Sequence, residues 1–269
     1  MDLRGASSEA LATLVERLDA ATSSSKAAAT LGDELFTVSR LFRTEAGLRR
    51  FATDASLPAE AKQGMVEQVF AGRLGEATHD LLTAAVGRRW TLSRDLPDVL
   101  ERLSEIAVVR SAGAQAGQVT DELFALSQII DHDPALRDTL SDPARSVDDK
   151  AALLGSLLDG QALPATITLA KQGLAGTYRT MTNALTTYRH VAAETQGEVV
   201  ATVRVARPLA AADEQRLTDV LSRQYDTTVH LNVLVDPDVL GGIRVEIGGQ
   251  VIDGTISSRL DGARRALAG

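Results

Sequence analysis

The sequence predicts a mainly α protein in which tandem helical-bundle modules precede a small α/β C-terminal domain. Three observations carry this. Apolar residues recur with the helical period through about the first 195 residues. One long stretch of that pattern returns at a fixed, ungapped spacing. At Gly197 the period changes from helical to alternating.

Leu11, Leu14, Val15 and Leu18 form the first amphipathic stripe, and Leu31, Leu35, Val38 and Phe42 the second. Met65, Val66, Val69 and Phe70 form a third, behind Ser56 and Pro58, residue types that open helices. Leu81, Leu82, Ala85 and Val86 make a fourth stripe, and Leu96, Val99, Leu100, Leu103 and Ile106 a long fifth. Aromatics are only 3% of the 269 residues, so the core must be Leu, Val, Ile and Ala, a composition suited to packed helices.

The pattern then recurs. Asp33-Glu34-Leu35-Phe36 reappears as Asp121-Glu122-Leu123-Phe124, and the same shift pairs Leu48-Arg49 with Leu136-Arg137, Lys62 with Lys150 and Gly72 with Gly160. Apolar positions keep register: Val38 with Leu126, Phe42 with Ile130, Val66 with Leu154, Phe70 with Leu158. Two alanine-rich segments do not share a four-residue identity and an apolar register by chance, so a duplication is expected. Ser111 to Val119, with Gly113 and Gly117, reads as the joint. The expected domains are 1–115, 116–196 and 197–269.

Beyond Gly197, Val199, Ala201, Val203 and Val205 alternate as a half-buried strand that Pro208 ends. Asp213 to Gln224 reads as a helix. Val229, Leu231, Val233 and Val235 make a second strand, Asp236-Pro237-Asp238 a turn, and Ile243, Val245 and Ile247 a third strand. After Gly248-Gly249, Val251-Ile252 returns as a short fourth strand, and Ile256 to Ala268 closes as a helix.

The motifs of catalysis are missing. No cysteine is present, which removes disulfides and thiolate sites, and no phosphate-binding loop pattern occurs. Gly241-Gly242 and Gly248-Gly249 flank a strand instead of joining a strand to a helix, so they read as turn glycines. His79, His132, His190 and His230 are scattered. Asp131-His132-Asp133-Pro134 reads as a helix-ending turn, and Ser146 with Asp148 and Asp149 as a helix cap. Asp253-Gly254 has no His, Lys or Cys beside it, so a turn is the simpler reading. No cofactor or metal is expected.

The formal charge is −8 and the only lysines are Lys26, Lys62, Lys150 and Lys171, which argues against a nucleic-acid partner. No run reaches the roughly 18 apolar residues of a membrane span. The acidic Asp2, Glu9, Glu16 and Asp19 do not fit a signal peptide. Direct membrane insertion is therefore not expected.

The segment Asp236 to Ile256 is similar to the C-terminal signature of the F-type ATP synthase delta family, whose mitochondrial relative is the oligomycin-sensitivity-conferring protein. Asp236, Pro237, Gly241, Gly242, Ile252, Asp253 and Gly254 carry the likeness, with Thr255 where the family has mostly Ser. Upstream, Ala206-Arg207-Pro208-Leu209 resembles the family's entry to its helix, and 121–195 resembles its helical domain. The likeness covers 118–269. A preceding helical module resembles the extended form of high-GC Gram-positive bacteria.

The resemblance implies a non-catalytic stator subunit that links the catalytic head to the peripheral stalk. Its implied partners are N-terminal helices of the alpha subunits and the C-terminal helix of the stalk b subunit. The implied location is peripheral, on the cytoplasmic face of the cell membrane. Because the second module leads directly into the signature domain, the order of the chain favours it as the copy that holds alpha. Rival readings are an unrelated tandem helical adaptor, or a small-molecule enzyme using the glycine-rich tail.

Overall fold

A computed structural model describes residues 3–237, 239, 241–247 and 250–253. The expected closing helix, Gly254, and the turn at Gly248-Gly249 lie outside the described residues. The chain forms two compact units, Met1–Val191 and Ala192–Gly269.

The first unit is helical: α1 Ala6–Ala21, α2 Ser25–Thr44, α3 Ala46–Thr53, α4 Ala59–Phe70, α5 Glu76–Val86, α6 Asp95–Ser111, α7 Ala116–His132, α8 Pro134–Ser141, α9 Val147–Leu158 and α10 Pro164–Ala175. Helix α11, Met181–Thr195, runs on into the second unit. The stripes read from sequence face inward: Leu14, Leu18, Leu35, Phe42, Leu82, Leu100 and Leu103 are fully buried. Each such Leu stabilises the fold by about 1.5–3 kcal/mol. Helix α2 begins where Ser24 Oγ accepts from Ala27 N at 3.2 Å. It lies so close to α6 that Ser104 Oγ donates to the Gly32 carbonyl at 2.6 Å and Ser39 Oγ to that of Pro97 at 2.8 Å.

The repeat holds in three dimensions. The shift that carries Asp33 onto Asp121 superimposes the bounds of α3 on α8 and of α4 on α9. Gly72 and Gly160 both end their helices in the left-handed region, at φ 67° and 68°. Glu34 accepts from Gly75 N at 3.1 Å and from Thr78 Oγ1. Its counterpart Glu122 accepts from Leu163 N at 2.9 Å and from Thr166 Oγ1 at 2.5 Å. The same shift lays α1 over α6, and α6 packs on α10 as α1 packs on α5. The two bundles thus share a helix: α6 closes the first and opens the second.

Three local readings change. Ser56 does not cap α4; its amide and hydroxyl both donate to Asp54 Oδ1, and Pro58 stands at the cap. Helices α3 and α8 were not foreseen, being eight residues each, too short to show a full stripe. The joint is narrower than Ser111 to Val119, because a single 3₁₀ turn, Gly113–Gln115, links α6 to α7. Gly113 makes that reversal at φ 56°.

In the second unit, β1 Glu198–Val205 is followed by α12 Ala211–Tyr225, β2 Thr228–Val235, β3 Ile243–Ile247 and β4 Gln250–Asp253. The sheet order is β2-β1-β3-β4. β1 and β2 are parallel, joined through α12, while β3 and β4 add as antiparallel strands. Ala201, Val203, Val205, Val229, Val245 and Ile247 bury one face of the sheet with Leu221 of α12.

Candidate functional site

Between α1 and α5 lie hollows of about 370 and 390 Å³, and a third of about 450 Å³, reached by Arg17 of α1, is bounded by α5 and by Ala59 and Gln63 of α4. Ala6, Ala10, Ala20 and Ala21 of α1 and Ala77 and Ala84 of α5 line them, with Gly87 at the end of α5. These small side chains leave the space at the surface of the helix pair unfilled. Charges edge the hollows: Glu9 and Arg17 from α1, Glu76 and Asp80 from α5, and Arg88 beyond it. A shallow, small-residue groove with a balanced charged rim suits one further amphipathic helix.

The equivalent groove of the second repeat, between α6 and α10, is filled. The shift replaces Thr13 with Glu101 and Arg17 with Glu105, both only 1% exposed. Glu101 accepts from Arg43 of α2 and from Thr177 N at 3.0 Å. Glu105 accepts from Tyr178 Oη at 2.6 Å and from Arg102 Nη1 at 3.2 Å. The turn after α10 is pressed onto α6 so tightly that a Cβ on Gly176 would lie 2.2 Å from Glu101 Oε1. Burial raises the pKa of both carboxylates, that of Glu105 to about 7, and pushes that of Tyr178 upward. What stays open is the mouth of this groove, a hollow of about 850 Å³ that includes Arg43, Arg49 and Arg94.

In the second unit the signature residues gather at the loop end of β1 and along β3 and β4. Asp236 N donates to the Val205 carbonyl at 2.8 Å, and its carboxylate lies 3.6 Å from Arg204 Nη1. Pro237 follows in the turn. Gly241 and Gly242 take φ 72° and 83°, a region that favours glycine, and lead into β3. Ile252 stands opposite Val245 and Asp253 opposite Arg244. Asp253 is exposed, and Gly254 lies outside the described residues.

The other singled-out polar residues serve the backbone. Asp133 caps α8 by accepting from Leu136 N at 3.0 Å, with Pro134 in the first turn. Ser146 caps α9 by accepting from Asp149 N at 3.0 Å. Among the described residues no helix is long and apolar enough to cross a membrane. Sequence reading named none of the groove residues. The signal was present as alanines at Ala6, Ala10, Ala20 and Ala21 on the flank of the first stripe, but alanine alone does not separate a groove from a plain surface.

The profile of the ATP synthase delta (OSCP) subunit family matches residues 103–267. A chain of Nocardioides described as ATP synthase subunit delta is 52% identical over 99% of this chain and 98% of its own length. Subunits with the same description from Streptomyces avermitilis and Kineococcus radiotolerans are 40% and 39% identical over 100% and 98% of this chain, and over 100% and 98% of their own lengths. Among solved structures, a chain of the Toxoplasma gondii mitochondrial ATP synthase hexamer gives a TM-score of 0.36 at 17% identity, over 61% of this chain and 97% of that one.

Proposed function

We propose a division of labour within this chain, which belongs to the ATP synthase delta (OSCP) subunit family. As a member of that family it is a peripheral-stalk subunit of the F-type ATP synthase, which ties the catalytic head to the stalk and keeps the head from turning with the rotor. In our reading the chain performs no chemistry itself. It acts at the cytoplasmic face of the membrane without entering it. Of the three segments, 1–115 and 197–269 carry the two attachments, with 116–196 between them in sequence.

The groove between α1 and α5 receives an N-terminal helix of an alpha subunit, and the domain from Gly197 grips the C-terminal helix of the stalk b subunit. The observation that supports the first assignment is the contrast between repeats: the α1–α5 groove is open, while its α6–α10 counterpart is occupied by Glu101, Glu105 and the turn at Gly176. Chain order favoured the second module as the alpha-binding copy; the geometry supports the first. Two attachments on one chain give a durable link through effective concentration, with neither contact being exceptional.

The test is titration of the full chain with an alpha N-terminal peptide and a b C-terminal peptide. Ala77→Trp places a large side chain in the groove from an exposed position. It should abolish binding of the alpha peptide and leave the b peptide unaffected. Undiminished binding of the alpha peptide would move the site elsewhere.

A further inference from the structure

The surface between α6 and the α10–α11 turn is unusual for a buried joint because it is polar nearly throughout. Helix α6 contributes Glu101, Ser104 and Glu105, all 1% exposed or less. Helix α2 contributes Arg43, α10 contributes Gln172, the turn contributes Thr177 and Tyr178, and α11 contributes Tyr188. Arg43 Nη1, Gln172 Nε2 and Tyr188 Oη are buried with no hydrogen-bond partner among the described residues. Each orphaned group loses its hydration without a replacement bond, which weakens the joint. A seam with that many unmet groups is held less firmly than the leucine core around it.

The repeat explains the poor fit. The positions of Glu101 and Glu105 are those of Thr13 and Arg17, which face an open groove in the first bundle. Here the same face of the shared helix is shut by few contacts: Thr177 N to Glu101, Tyr178 Oη to Glu105, and Gly176 against Glu101. We propose that these contacts are a proton-linked latch, in which ionisation of both Glu101 and Glu105 releases the α10–α11 turn from α6 and opens the second groove.

The groups facing Glu105 set the direction. They are Glu101 and Arg102 of α6, Tyr178 of the turn and Tyr188 of α11, with Arg43 of α2 and Asp98 on the far side of Glu101. Desolvation is the largest influence on both carboxylates and outweighs the arginines and hydrogen bonds that favour the anions, while the Glu101 anion further opposes that of Glu105 and Asp98 that of Glu101. Glu105 reaches about 7, so the closed joint retains a proton near neutrality and surrenders it in mildly alkaline solution. Release of the turn returns both carboxylates to water, where ionisation is unopposed.

The latch is tested by amide hydrogen exchange of the full chain at about pH 6 and about pH 8.5, corrected for the intrinsic rate. Amides of the α10–α11 turn should open more readily at the higher pH, by about ten-fold for the Glu105 proton, since one linked proton contributes up to about ten-fold per pH unit below its closed-state pKa and nothing further above it. Amides of α2 and α4 should not change. In Glu105→Gln the turn should stay equally protected at both pH values. Tyr178→Phe, which keeps the ring but removes the donor, should expose the turn at both. Corrected protection of the turn that is independent of pH in the wild type overturns the proposal. So does a pH-driven loosening that persists in Glu105→Gln, or full protection in Tyr178→Phe.

Discussion

Glu122 and Thr166 are joined by a 2.5 Å hydrogen bond from α7 to the first turn of α10, and Glu34 and Thr78 repeat the pairing from α2 to α5. In each case the same carboxylate also accepts the backbone N–H at the helix start, Leu163 in the second bundle and Gly75 in the first. One side chain thereby satisfies two donors that water would otherwise have to reach, and it brings a negative charge to the positive end of a helix.

Glu122→Ala should therefore destabilise the chain by about 1–3 kcal/mol, the cost of leaving partly buried donors unmet. Glu34→Ala should fall toward the lower end of that range, since Thr78 is as buried as Thr166 but Gly75 is exposed to water. Denaturant midpoints followed by circular dichroism decide this. A loss below the measurement error in both variants would show that solvent replaces the carboxylate without penalty.

Gly32 is required by the approach of α2 to α6. A Cβ there would lie 2.6 Å from Val108 Cγ2 and 3.2 Å from Val108 N. The valine side chain is itself only 1% exposed, and the backbone amide cannot step aside. Gly32→Ala should destabilise by about 1–3 kcal/mol through overpacking, outweighing the roughly 1 kcal/mol that alanine gains in helix propensity. A rise in thermal midpoint for this variant would mean that the helices separate more easily than their contacts indicate.

The duplication, most helix positions and the change to strands at Gly197 were legible in the sequence, because apolar spacing reports directly on which face each element buries. Val199 to Val205 lies in β1 and Val229 to Val235 in β2. Sharing of α6 was not legible. Ser7 falls opposite Asp95, and Thr13 and Arg17 fall opposite Glu101 and Glu105, so the shared helix has kept its apolar stripe but changed its polar residues. Charges at helical spacing read as a solvated face, and only the fold reveals that Glu101 and Glu105 face another helix. The groove was silent for the opposite reason: it is built from alanines, whose pattern is the same whether the surface is flat or hollow.

Stability should fall as pH rises from about 4.5 to about 7. Glu105 has a folded-state pKa of about 7, above its ordinary 4.5, so the folded chain holds the proton more tightly than the unfolded one. That contribution is complete below 4.5, diminishes across the window and is gone above 7. The difference corresponds to about 3 kcal/mol. Glu101 is shifted in the same direction. Urea unfolding across the window should give a declining curve for the wild type and a flatter one for Glu105→Gln. Parallel curves for the two proteins would assign the decline to other groups.

The last prediction separates the two attachments. Gly242 has φ 83° at the entry to β3, a conformation in which a β-branched side chain is strained by about 1 kcal/mol or more. β3 pairs with β1 on one side and β4 on the other, so it is the only described strand that connects β4 to the rest of the sheet. Gly242→Val should shift Ile243, Val245 and Ile247 against their partners on β1, and Ile252 and Asp253 on β4 would move with them. The helical unit Met1–Val191 has its own core and should be untouched. The full-length variant should therefore lose affinity for the b C-terminal peptide while binding the alpha N-terminal peptide as before. This is the converse of the outcome expected for Ala77→Trp. Fluorescence of Trp90, which is 9% exposed and donates to the Ala85 carbonyl within the first bundle, reports whether that unit is intact in Gly242→Val. With that signal unchanged, a Gly242→Val chain that still binds the b peptide at full strength would place the stalk contact outside the β3–β4 region.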